Sequence, residues 1–118
     1  MGYQSLDYGV MYHIYNRGNN KENLFKEKRN YEYFLQLLER YISPVADILA
    51  YCLLPNHFHL LIQIKNRDEI DAELQDQSRI SRQFGTCFGT FTKAINKTYE
   101  RTGKLFESRF KRVVVTTG

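Results

Sequence analysis

His57 and His59 stand one residue apart in the stretch Pro-Asn-His-Phe-His-Leu-Leu-Ile-Gln-Ile at 55–64, a spacing at which two imidazoles can share one cation. The β-branched, aliphatic and aromatic content of this stretch predicts a strand, with the turn signal Pro55-Asn56 in front. Side chains alternate across a strand, so Phe58, Leu60, Ile62 and Ile64 form one wholly apolar face. His57, His59, Leu61 and Gln63 fall on the other. Neutral imidazole is a common ligand for divalent metals, which makes the polar face a candidate metal site. Water would complete the coordination, with Gln63 or His13 as further candidate ligands. The plainer reading is two half-exposed histidines on a sheet.

Charge is the second chemical signal. The chain carries a net +4, and its distribution is uneven. Residues 1–89 hold 10 Lys/Arg against 11 Asp/Glu, whereas residues 90–118 hold 7 Lys/Arg against 2 Asp/Glu. Phe91, Tyr99, Phe106 and Phe110 are interleaved with those cations. Basic side chains pair with phosphates and aromatic rings stack on unpaired bases, so the last quarter suits a nucleic-acid partner. Lys93, Lys97, Lys104, Arg109, Lys111 and Arg112 are the candidate contacts, and a solvated basic face is the competing reading. The acidic connector at 66–76 lacks the glycine that an EF-hand loop requires, which argues against calcium.

These side chains need elements to position them. Val10 to Asn16 reads as a strand, with Val10, Tyr12 and Ile14 on one face and Met11, His13 and Tyr15 on the other. A helix follows from about Glu27 to Ile42, ended by Ser43-Pro44. Val45 to Leu54 is a second strand, joined by the short Pro55-Asn56 turn to the histidine strand as an antiparallel hairpin. Ser78 would cap a second long helix running to about Arg101. Its Gly85 and Gly89 clear a stripe of side chains, suited to close packing on the sheet or to a nucleic-acid backbone. Phe110 to Thr116 supplies a last strand. The order β-α-β-β-α-β predicts an α+β fold of the ferredoxin-like, RRM-like kind: a four-stranded antiparallel sheet with both helices on one face. The first and third strands would be central neighbours.

Length and composition bound the rest. At 118 residues, with 42% apolar and 25% charged residues, the chain reads as one globular domain, 1–118. It has no apolar run long enough to span a bilayer, and Met1 to Val10 lacks a signal-peptide core. Cys52 and Cys87 sit among apolar neighbours and read as two buried free thiols in a reducing cytoplasm.

Three blocks, Tyr-His-Ile-Tyr-Asn-Arg-Gly-Asn at 12–19, Leu-Pro-Asn-His-Phe-His-Leu-Leu at 54–61 and Tyr-Glu-Arg-Thr-Gly-Lys-Leu-Phe-Glu-Ser-Arg-Phe-Lys at 99–111, together resemble one family, the single-tyrosine HUH transposases, in particular the REP-associated branch. The resemblance runs from about Met11 to Val115. It implies the same RRM-like sheet, a histidine pair that binds Mg²⁺ or Mn²⁺, and a partner of single-stranded or hairpin DNA. It further implies that a tyrosine attacks phosphorus and leaves a 5′-phosphotyrosyl link and a free 3′-hydroxyl. Carried over to this chain, His57 and His59 become the metal ligands. Asn16, Arg17 and Gly18, with Arg109, Phe110 and Lys111, match positions near DNA. The branch keeps its nucleophilic tyrosine and a third metal ligand on a further helix with an Asn-Pro motif. This sequence, whose only prolines are Pro44 and Pro55, shows no such motif. The expectation is a transposase-like chain without its tyrosine helix, which would be inactive alone. Strand alternation puts no aromatic hydroxyl on the His57/His59 face, and Tyr99 is the fallback nucleophile. A homodimer is compatible with the resemblance. The alternative is a non-catalytic nucleic-acid-binding module that uses an RRM-like sheet; a hydrolase acting through metal-bound water is a third idea that lacks an evident third ligand.

Overall fold

A computed structural model describes residues 5–116. The strands are β1 (Met11–Arg17), β2 (Ala46–Leu54), β3 (His57–Ile64) and β4 (Lys111–Val114). The two long helices are α1 (Lys28–Leu37) and α2 (Gln77–Thr98). The strands form one sheet in the order β2-β3-β1-β4, with every neighbouring pair antiparallel. This is the α+β arrangement expected from the sequence, with β1 and β3 side by side in the centre.

Period-two patterning sets the two faces of the sheet. Tyr12, Ile14 and Asn16 of β1 are buried, as are Phe58, Leu60, Ile62 and Ile64 of β3. The residues between them are only partly buried or exposed. The helices cover the first set. Phe34 of α1 and Phe84, Phe88 and Phe91 of α2 meet Phe58, Phe106 and Phe110 in a cluster of rings 5.1–6.4 Å apart. Burying each such ring contributes about 1.5–3 kcal/mol, and the tilted and edge-on pairs add to this. The open face stays free of helices, and both histidines of β3 lie on it.

Element ends follow local chemistry. A capping box opens α1: Glu27 accepts from the third helical residue while Asn30 accepts from the Glu27 backbone N–H at 3.0 Å. The helix continues to Ile42 through a wider π turn, Leu38–Ile42. Asp76, not Ser78, caps α2, because its carboxylate accepts from the Ser78 backbone N–H at 3.0 Å. Arg101 then clamps the far end of α2, donating through Nε and Nη2 to both carboxylate oxygens of Glu22 at 2.6 and 2.5 Å.

Two expectations need correction. A Cβ built on Gly85 or Gly89 would meet nothing within 4 Å, so neither glycine serves close helix–sheet packing. Both lie on the outer side of α2. Cys52 is exposed and only Cys87 is buried, since β2 is an edge strand and Cys52 pairs with His59 on the open side. Burial pushes the Cys87 thiol up to about 12, which keeps it protonated and inert. Titration of the native protein with an aromatic disulfide reagent should therefore modify Cys52 rapidly, and Cys87 only on unfolding. Equal rates for both thiols would contradict this burial.

Candidate functional site

The hairpin turn that introduces the histidines is held from outside. The backbone N–H groups of Leu24 and Phe25 donate to the Pro55 carbonyl at 2.7 and 3.0 Å, and the Gly18 N–H donates to the Asn56 carbonyl at 2.9 Å. Gly18 also lets the following loop fold back on it: a Cβ there would stand 1.8 Å from the Glu22 carbonyl oxygen. The end of β1 and the start of β3 are thereby locked together, with Arg17 opposite His57 and Tyr15 opposite His59.

His57 and His59 project onto the open face with their ring centroids 5.2 Å apart. Each has its Nδ1 occupied. His57 Nδ1 lies 2.9 Å from Asn56 Oδ1, an acceptor that requires the proton on Nδ1 and leaves the Nε2 lone pair available. His59 Nδ1 lies 2.8 Å from His13 Nε2, so the two rings share one proton. Such partners on the far nitrogen fix tautomer and ring orientation at metal-binding histidines. Burial, with smaller contributions from His13 and His57, holds the His59 pKa below its ordinary value and favours the neutral form that can ligate.

The donor set fits a weakly held divalent cation. Two imidazoles face the cavity, and among the described residues no group of three or more His, Cys, Asp or Glu is placed to hold a metal. Of the further candidates, His13 bonds to His59, and the Gln63 amide nitrogen donates to the Gly9 carbonyl at 3.1 Å, a bond that does not involve its ligating oxygen. Asn56, which sequence reasoning treated only as a turn residue, supports His57 directly.

His57 and His59 line a cavity of about 630 Å³ together with Tyr15, Arg17, Lys21 and Lys111. Tyr15 corrects an expectation. The register of β1 against β3 brings its ring to the histidine face, stacked on His13 at 4.7 Å and 6.0 Å from the His59 ring. An aromatic hydroxyl is therefore carried on this face after all.

The expected DNA contacts separate into groups. Arg17 is exposed and ion-paired with Glu107 at 2.7 Å, and Lys111 is exposed and faces Tyr15 across β1–β4. Asn16 is buried on the other side, where its amide donates to the Ser108 carbonyl at 2.7 Å and its oxygen accepts from the Arg17 N–H. Its role in the structure is to brace the β1 end. Arg112 pairs with Ile14, opposite in facing to Lys111, and its guanidinium lies over the Phe110 ring at 4.1 Å. Lys104 is exposed and donates to the Glu107 carbonyl. Arg109, with Arg82 and Lys93, lines a separate cavity of about 790 Å³ along the bare Gly85/Gly89 side of α2.

Tyr99 has a different setting. It caps the C-terminus of α2, and its hydroxyl bonds to the Glu27 carboxylate and to Asn30 Oδ1 at 3.2 Å, at the start of α1. It lines neither of these cavities.

No family model and no curated protein matches the chain. Solved structures share its fold, two among them as follows. One, a REP-associated tyrosine transposase bound to a REP hairpin, superposes with a TM-score of 0.63 at 15% identity, over 100% of this chain and 63% of that one. The other, a putative transposase from Deinococcus radiodurans R1, gives a TM-score of 0.56 at 13% identity, over 98% of this chain and 86% of that one. The likeness is one of fold, and the chain spans less than two thirds of the hairpin-bound protein.

Proposed function

We propose that the protein is a transposase-like binder of single-stranded or hairpin DNA, of the single-tyrosine HUH kind, with His57 and His59 as ligands of one Mg²⁺ or Mn²⁺. The observation that carries this reading is the His57/His59 pair on the open face, with Nδ1 atoms engaged by Asn56 and His13, in a cavity rimmed by Arg17, Lys21 and Lys111. A divalent ion there would polarise a DNA phosphodiester and neutralise part of its charge. The chain's own cations would hold the flanking phosphates, and the anchored Pro55-Asn56 turn would keep the imidazoles rigid. The fold shared with a hairpin-bound transposase supports the same partner. A cytoplasmic location and a homodimer belong to this reading. The nine-residue edge strand β2, which exposes Leu49 and Tyr51, offers the pairing edge. Among the described residues no helix is long and apolar enough to cross a membrane.

The 118-residue chain should bind such DNA without joining to it. Nucleophilic attack needs an oxygen positioned in line with the scissile phosphorus. Tyr99 commits its hydroxyl to Glu27 and Asn30, while Tyr15 is stacked on His13 on a central strand. Incubation with hairpin-bearing single-stranded DNA and Mn²⁺ should give retarded complexes on a native gel and no covalent adduct on a denaturing one. An adduct abolished by Tyr15→Phe or by Tyr99→Phe would contradict this and identify the nucleophile.

A further inference from the structure

Among the described residues, Tyr8, Tyr12, Tyr31, Tyr33, Tyr41 and Tyr99 belong to the apolar core or pack against it. Tyr51 is exposed on edge strand β2, and Tyr15 stands outside the core on the histidine face. It occupies the middle of the open face on central strand β1, with His59 opposite it on one side and Lys111 on the other. Its ring is held in place: His13 stacks against it at 4.7 Å with 27° between the planes, and His13 is itself tied to His59 at 2.8 Å. Tyr15 also lines the cavity that contains His57, Arg17 and Lys21.

We infer that the Tyr15 ring is the stacking platform for an unpaired nucleobase of the DNA strand whose phosphate lies against His57 and His59. This rests on the single-strand reading above and adds to it the site that takes the base. A flat aromatic on a central strand of an open sheet, flanked by cations, is the combination by which proteins bind unstacked bases. A purine or pyrimidine both present a π face, so the ring selects for an unpaired base rather than for its identity. Within a duplex that face is covered by stacking neighbours. The subsite therefore favours single-stranded DNA over double-stranded DNA of the same sequence. His13 acts here as a buttress: its stacking fixes the Tyr15 plane while its Nε2 steadies His59, so that one side chain aligns the base platform and the candidate metal ligand together.

The test uses single-stranded oligonucleotides in which one 2-aminopurine is moved along the sequence beside a hairpin. Stacking on Tyr15 should quench the fluorophore at one position in the wild type and in Tyr15→Phe. Tyr15→Leu and Tyr15→Thr should relieve that quench and weaken binding about tenfold. Melting curves identify which of the two replacements is folded. Equal quenching in a folded Tyr15→Leu or Tyr15→Thr protein overturns the inference and leaves DNA binding standing. Losses in Tyr15→Phe as large as in Tyr15→Leu also overturn it, by making the hydroxyl the working group. Failure of the wild type to bind any single-stranded oligonucleotide overturns both this inference and the function it rests on.

Discussion

Replacing His57 and His59 together by alanine should remove Mn²⁺ binding altogether in calorimetric titration, while the wild type binds one ion weakly. Both imidazoles sit on the open face, outside the packed core, so the double variant should keep its melting temperature within a few degrees. Weak affinity is expected because two protein nitrogens leave most positions to water or phosphate. The structure adds a graded arm. Asn56→Ala keeps both ligands but deprives His57 Nδ1 of its acceptor, and loss of such a partner typically weakens metal affinity about 10- to 100-fold. Equal Mn²⁺ binding by the wild type and the double variant would eliminate the site. Unchanged binding by Asn56→Ala would remove only the orienting role of Asn56.

The second large effect concerns DNA. Neutralising Arg109, Lys111 and Arg112 to glutamine should weaken single-strand binding steeply and reduce its dependence on salt. Each phosphate contact on a single strand releases counterions worth about 0.7 in the log–log slope. The structure predicts unequal shares. Lys111 faces Tyr15 beside the histidine cavity and should account for about one such step by itself. Arg112 faces the other side of the sheet over Phe110 and should contribute less to the slope and more to stability. If the triple variant keeps both affinity and slope, the basic tail is a solvated face only.

Much of this arrangement was legible in the sequence because it depends on periodicity. Alternation along 57–64 put the two histidines on one face and four apolar residues on the other, and the β-α-β-β-α-β order implied that β1 and β3 are neighbours. What escaped was set by pairing between strands or by the sheet's edge. Alternation within β1 grouped His13 with Tyr15, but only the register Tyr15↔His59 shows that their face is the histidine face. Cys52 read as buried because its neighbours are apolar, yet an edge strand exposes such residues. Arg109, Lys111 and Arg112 looked like one basic block, and strand alternation sends Lys111 and Arg112 to opposite sides. Gly85 and Gly89 suggested tight packing, and the helix instead turns them outward. The supporting roles of Asn56 and His13 depend on individual ring nitrogens, which no pattern of residue types encodes.

If one cavity brings a His57/His59-bound cation into contact with a DNA phosphate, electron–nuclear double resonance on Mn²⁺ bound to the protein, with and without a hairpin-bearing single-stranded oligonucleotide, detects it in a single measurement. Expected are ¹⁴N couplings from two imidazoles in both samples and a ³¹P coupling that appears only with DNA, all lost in the His57→Ala/His59→Ala variant. Mn²⁺ that shows no imidazole nitrogen, or that keeps its ³¹P coupling in the double variant, would contradict it.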